Sequence, residues 1–143
     1  MTVEETNTEI LKHAFMQWND TKGKSTDHWL GILADEVDFR SLADGHSSLE
    51  FTSRRRSRDE VAEYMNGLND QLEMIHYTVK FFVAEGDRVV AVGSTAWRNR
   101  STGKTFDTPK ADVVRFKDGK IVAFYEFYDT AMVLATSESD AGT

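Results

Sequence analysis

Apolar residues recur at helical spacing along the first half of the chain and alternate along the second. Ile10, Leu11, Ala14, Phe15 and Trp18 form one stripe over residues 8–19, the pattern of an amphipathic helix with a single face on a core. Asp20-Thr21-Lys22-Gly23 breaks it. A second short helix is expected to start near residues 25–27, where side chains suit an N-cap, and to carry Trp29, Ile32 and Leu33 on one side. Val37-Asp38-Phe39-Arg40-Ser41 then alternates as a half-buried strand with Val37, Phe39 and Ser41 inward. Residues 42–56 read as an irregular excursion. Ser57-Arg58-Asp59-Glu60 matches a capping box and opens a third helix, whose stripe is Val61, Tyr64, Met65, Leu68 and Leu72.

From His76 onward the period is that of strands: 77–84, 88–98, 105–116 and 121–128, with turns at Glu85-Gly86-Asp87, at 101–104 and at Asp118-Gly119. Neighbours joined by short loops imply an antiparallel meander. Pro109 predicts a bulge or an edge position in the third of these strands. Helices followed by a long sheet give an α+β fold in which three N-terminal helices pack on one face of a curved antiparallel sheet. In residues 121–128 one alternating set is Val122, Phe124 and Tyr128 and the other is Ile121, Ala123, Tyr125 and Phe127. Both are apolar or aromatic, so a second layer must cover the outer set, and a homodimer packed through that face is the economical answer.

At 143 residues, the chain fits one domain, expected over residues 1–135, large enough to enclose a pocket; the polar, acidic residues 136–143 are expected to be a disordered tail. A net charge of −7 argues against a nucleic-acid-binding surface, which needs a basic field. Arg54, Arg55, Arg56 and Arg58 run against that trend, either as a solvated loop or as a rim for an anionic ligand. No apolar run is long enough to span a bilayer, and the acidic start MTVEETNTEILKH is unlike a secretory signal, so a cytoplasmic location is the default expectation. The absence of Cys removes thiolate metal sites and Cys nucleophiles. His13, His28, His46 and His76 show no metal spacing, and no nucleotide or phosphate fingerprint is present. Neither a metal nor a cofactor is therefore expected.

The candidate chemistry sits in the hairpin of residues 110–128, read KADVVRFKDGKIVAFYEFY, where Asp112 and Glu126 stand among apolar residues. If residues 117–119 form a three-residue loop with a bulge, Phe116 pairs with Lys120, Asp112 lies across from Phe124 and Glu126 shares its face. If Asp118-Gly119 is a plain two-residue turn, Asp112 faces Tyr125 and Glu126 moves to the other side. The residues themselves leave both loops open. Two carboxylates in one apolar cavity would form an acid and base couple, one protonated and one ionised. Alternatively Lys110, which shares the parity of Asp112, or Arg98, Arg115 or Trp97, could tie them into a buried network without chemistry. Trp18, Trp29, Tyr64, Trp97, Phe124 and Tyr128 would supply an aromatic lining for a flat lipophile.

The order of elements, with LADEVDFRSLADG, the S-R-D-E-V helix start and the closing ADVVRFKDGKIVAFYEFYDTAMVL, resembles the nuclear transport factor 2-like superfamily. It is most similar to the SnoaL-like and ketosteroid-isomerase-like members. The resemblance implies a cone: a curved sheet wrapped on three helices around a deep apolar pocket, commonly in a dimer. It favours the three-residue loop, because it turns Asp112, Phe124, Glu126 and Tyr128 all toward the pocket, and it assigns Asp112 to the strand carboxyl of ketosteroid isomerases, which its apolar setting keeps protonated so that it donates a hydrogen bond to an oxyanion. Their Tyr falls at or beside Phe15 and their proton-moving Asp at Ser41, so that isomerisation mechanism is not expected. What the resemblance implies is a small dimeric protein binding a hydrophobic, oxygen-bearing molecule against Phe15, Trp18, Trp29, Ser41, Tyr64, Trp97, Phe124 and Tyr128. Asp112 and Glu126 would carry cofactor-free isomerase, cyclase or hydratase chemistry. A non-catalytic binding or dimerisation module is the alternative.

Overall fold

A computed structural model describes residues 1–138. Helix α1 (Val3–Asp20) is capped by Thr2 and buries Leu11, Ala14, Phe15 and Trp18. It is followed by α2 (Thr26–Ile32), β1 (Leu33–Ser41), a 3-10 turn at Glu50–Thr52, β2 (Arg55–Ser57) and α3 (Arg58–Gln71). The second half is β3 (Leu72–Glu85), β4 (Arg88–Asn99), β5 (Thr105–Lys117), β6 (Lys120–Tyr128) and a fourth helix, α4 (Thr130–Ala135). At the start of α3 the Glu60 amide donates to Ser57 Oγ while the Glu60 carboxylate reaches back to the Arg56 amide. The capping residues are therefore used as their spacing predicts, one residue displaced on the return bond.

The strands form one six-stranded sheet in the order β2-β1-β6-β5-β4-β3. The fold is α+β, and two expectations about it need correction. The sheet is mixed, because β1 runs parallel to β6. Among the described residues the helices are four, with α4 added after β6; β1 precedes α3 as expected, and β2 joins it there. A strand that enters the sheet far from its sequence neighbours leaves no local signature of direction. Helices α1 and α3 pack across one face, and α4 covers one end of β5.

Curvature comes from extra residues in the ladder. Ile75 and Lys80 are unpaired in β3, and Val122 is unpaired in β6, and each such bulge bends its strand. The bend of β3 brings the Thr78 carbonyl over Gly93, where any Cβ would collide with it. Gly93 has no left-handed backbone; close approach is what requires glycine there. Pro109 is neither in a bulge nor on an edge strand. It pairs with Ser94 of β4, and on its other side the β5–β6 ladder already stops at Lys110 and Tyr128, so no N–H is demanded of it.

Among the described residues no helix is long and apolar enough to cross a membrane. Thr136 is buried, and its carbonyl accepts from Thr102. The remainder of the expected tail, 139–143, lies outside the described residues.

Candidate functional site

The closing hairpin sets the site. Asp118 and Gly119 both have positive φ, 50° and 77°, and Lys117 pairs with Lys120, so the turn is the two-residue type I′ that an Asp-Gly pair favours. The expected three-residue loop is corrected. Phe116 then pairs with Ile121, the bulge at Val122 adds one residue, and Asp112 lies directly opposite Glu126 instead of Phe124. The bulge restores the parity that the short turn alone would have broken, so both carboxylates face inward. It also moves Ile121 from the outer set into the core, where it is fully buried.

Lys110 completes the group from the same face of β5. Its ammonium lies 2.5 Å from Asp112 Oδ1, 3.2 Å from Glu126 Oε2, and donates to the Tyr77 hydroxyl at 2.5 Å. Tyr77 donates in turn to Asp112 Oδ2, and Tyr64 donates to Glu126 Oε1. Burial pushes the Lys110 ammonium down, but the flanking Asp112 and Glu126 charges more than offset this and hold it above its ordinary value. Burial raises the Asp112 carboxyl despite the Lys110 charge beside it. Burial and the neighbouring carboxylates raise the Tyr64 and Tyr77 hydroxyls far enough that both remain neutral donors.

The cavity beside this cluster is about 80 Å³, several times the space one water needs but smaller than a typical ligand pocket. Phe15, Trp18, Trp29, Tyr64, Trp97, Phe124 and Tyr128 all line it, and so do Tyr77, Lys110 and Glu126. Asp112 does not. It is buried behind Lys110, so the charged groups presented to the cavity are Glu126 and Lys110, with Tyr64, Tyr77, Tyr128 and three threonines beside them, not the pair Asp112 and Glu126. Ser41 is buried but does not line the cavity; its hydroxyl is 2.6 Å from the Tyr128 hydroxyl, which also accepts from the Ala43 amide. Phe15 stacks on Tyr77 at 5.3 Å. The first helix thus supplies a phenyl ring here, and the hydroxyl that reaches Asp112 belongs to Tyr77 of β3. The alternation of β3 hid Tyr77, because the bulges at Ile75 and Lys80 reset the parity on either side of it.

The remaining candidates lie elsewhere. Arg54 makes a two-pronged contact with Asp38 at 2.7 and 2.8 Å, Arg55 pairs with Glu63, and Arg58 pairs with Asp35 and donates to the Leu33 carbonyl. Three of the four arginines thus tie β1, β2 with the loop before it, and α3 together. His76 is half-buried on the outer side, 3.6 Å from Asp107. Among the described residues no group of three His, Cys, Asp or Glu side chains is placed to hold a metal ion.

A family model described as a SnoaL-like domain matches residues 14–124. No curated protein matches the chain in sequence. Among solved structures, a nuclear transport factor 2-like protein from Burkholderia xenovorans LB400 superposes with a TM-score of 0.79 at 19% identity, covering 94% of this chain and 98% of its own. A protein with a ketosteroid isomerase-like fold from Catenulispora acidiphila, in complex with trimethylamine, gives 0.75 at 17% identity, covering 94% and 96%. TerC, co-crystallised with polyporic acid, gives 0.77 at 17% identity, covering 94% and 99%. At these identities the likeness is one of fold.

Proposed function

The chain belongs to the SnoaL-like domain family, and on that premise we propose that it binds a compact, largely apolar, oxygen-bearing molecule in the aromatic cavity and moves a proton on it. One observation carries this reading: a carboxylate and an ammonium 3.2 Å apart form part of a wall that is otherwise almost wholly aromatic and aliphatic. Glu126 is the base. Lys110 is the donor that receives developing negative charge on a ligand oxygen, and Asp112, out of reach of the cavity, positions Lys110. When Glu126 takes a proton from a carbon next to a carbonyl, the negative charge passes from carboxylate to enolate oxygen. The ammonium that had neutralised the first is then beside the second. Total charge in the buried site is unchanged by the step, which keeps its cost low in a poorly solvated place. Two fold neighbours with small molecules bound support a ligand-binding use of this architecture.

The non-catalytic alternative draws on a specific feature. All three Lys110 donors already have partners, on Asp112, Tyr77 and Glu126, so the network is complete without a ligand. Calorimetric titration with 4-hydroxyacetophenone tests binding under either reading. Saturable one-site binding, weakened at least about tenfold in Glu126→Gln, is expected from the loss of a charged hydrogen-bonding group; no binding to the unsubstituted protein contradicts both ligand-binding readings and leaves the dimerisation module.

We further propose a homodimer through the outer face of the sheet. Phe81 and Val83 are 53% and 55% exposed there. Tyr125 and Phe127 stack at 4.3 Å on the same face, with the Arg40 guanidinium 4.5 Å above the Tyr125 ring. A contiguous apolar surface of this kind is rarely left to water. Light scattering should give about twice the 16.2 kDa chain mass, and Phe81→Glu should shift it toward one chain. A monomer for the unsubstituted protein contradicts the dimer.

A further inference from the structure

One buried donor in the cavity wall has no partner. Trp29 is 4% exposed and its Nε1–H finds no acceptor among the described residues. The other unpartnered buried polar atoms, on Ser25, Arg58 and Asn69, belong to residues that do not line the cavity. A second indole gives the contrast: Trp97 Nε1 donates to Thr95 Oγ1 at 2.7 Å. Trp29 is surrounded by ring edges and faces, with Phe15 at 5.1 Å, Trp18 at 6.3 Å and Phe124 at 6.0 Å. None of these offers an oxygen or nitrogen lone pair. A buried N–H without an acceptor is rare in native proteins and is expected where a ligand or water completes it.

We propose that Trp29 is the second anchor of the ligand site, donating its indole N–H to an acceptor oxygen at the end of the ligand remote from Lys110 and Glu126. This rests on the small-molecule reading above and narrows it. Phe124 lines the cavity beside both anchors, packed edge-on to Trp29 and two residues from Glu126 on the same face of β6. The aromatic lining and the cavity of about 80 Å³ suit a compact ring, and the two anchors ask for an oxygen function at each end: a hydroxyl or carbonyl for Lys110 and Glu126, and an ether, carbonyl or hydroxyl oxygen for Trp29.

The pair 4-methoxyphenol and 4-ethylphenol tests this, because the two differ in shape very little and only the first has an acceptor opposite the hydroxyl. The unsubstituted protein should bind 4-methoxyphenol more tightly. Trp29→Phe, which keeps a flat ring and removes the donor, should weaken 4-methoxyphenol about tenfold and change 4-ethylphenol less than about twofold. A measurement on the unsubstituted protein covers the case in which Trp29→Phe does not fold. In that measurement the through-bond assigned Trp29 indole N–H signal should move on adding 4-methoxyphenol and much less with 4-ethylphenol. Equal weakening of both probes, or an indole signal indifferent to the acceptor, overturns the Trp29 anchor while leaving the pocket reading intact; that result would place the N–H on the Phe15 or Phe124 ring or on a water. Failure of both phenols to bind the unsubstituted protein overturns the pocket reading together with the anchor.

Discussion

Lys110→Met should cost about 3–5 kcal/mol of stability, because it leaves two buried carboxylates facing each other without their cation. Asp112 and Glu126 are paired directly across β5 and β6, and Lys110 is the only cation that touches either among the described residues. Methionine preserves most of the volume, so the loss reports charge and hydrogen bonding more than packing. Urea denaturation at pH 7 measures it. The sign of the pH dependence follows from the same contacts. Without the ammonium, which pulls the Asp112 carboxyl down, that group is raised further in the folded state. Its contribution is then fully present below the ordinary carboxylate value and is lost as pH rises through the folded one. The gap between Lys110→Met and the unsubstituted protein should therefore shrink from pH 7 toward pH 4. Adding Asp112→Asn to Lys110→Met should recover about 2 kcal/mol at pH 7, since the uncompensated charge is removed. A loss below about 1 kcal/mol, unchanged with pH, would mean that the cluster is wetter than its burial indicates.

Gly93→Ala should be at least as damaging, at about 3 kcal/mol or more, although the same change elsewhere in a strand is mildly favourable. The added methyl would meet the Thr78 carbonyl and approach the Val79 Cα, both backbone, so no rotamer can relieve the collision. The strand β3 must straighten or move away. Tyr77, one residue from the contact, would then withdraw from Lys110 and Asp112. Denaturant unfolding reads the first effect, and loss of 4-hydroxyacetophenone binding in the folded fraction reads the second. A variant as stable as its parent would show that β3 does not depend on that close approach.

The residues legible in advance were those governed by local periodicity. The stripe from Leu11 to Trp18, the Ser57 to Glu60 cap and the Asp118-Gly119 turn each rest on residues a few positions apart, and each is where its spacing puts it. What was not legible depends on counting residues through a bulge or on pairing across the chain. The inward placement of Glu126 was expected from a three-residue loop, and it arises from a two-residue turn plus the bulge at Val122. Two one-residue displacements cancel there, so the right face was reached through the wrong register. At Tyr77 no such cancellation helped, and the bulges at Ile75 and Lys80 concealed a side chain central to the network. The parallel pairing of β1 with β6 is a long-range choice, and residues 33–41 carry the same alternation for either direction. Lys110 was visible as a partner for Asp112, but only the depth of the two side chains decides which one faces the cavity.

Action of Glu126 and Lys110 on a carbonyl compound in the aromatic cavity is tested most directly by following exchange of the α-hydrogens of 4-hydroxyacetophenone for deuterium in D2O by proton NMR. In each event the C–H bond breaks, Glu126 takes the proton, the enolate oxygen is held by Lys110, and the carbon recovers deuterium after the carboxyl has exchanged with solvent. The unsubstituted protein should accelerate the exchange above buffer, and Glu126→Gln should reduce that acceleration by roughly 100-fold or more, as expected for loss of a general base. Exchange at the buffer rate with the unsubstituted protein, or acceleration that survives Glu126→Gln, would contradict it.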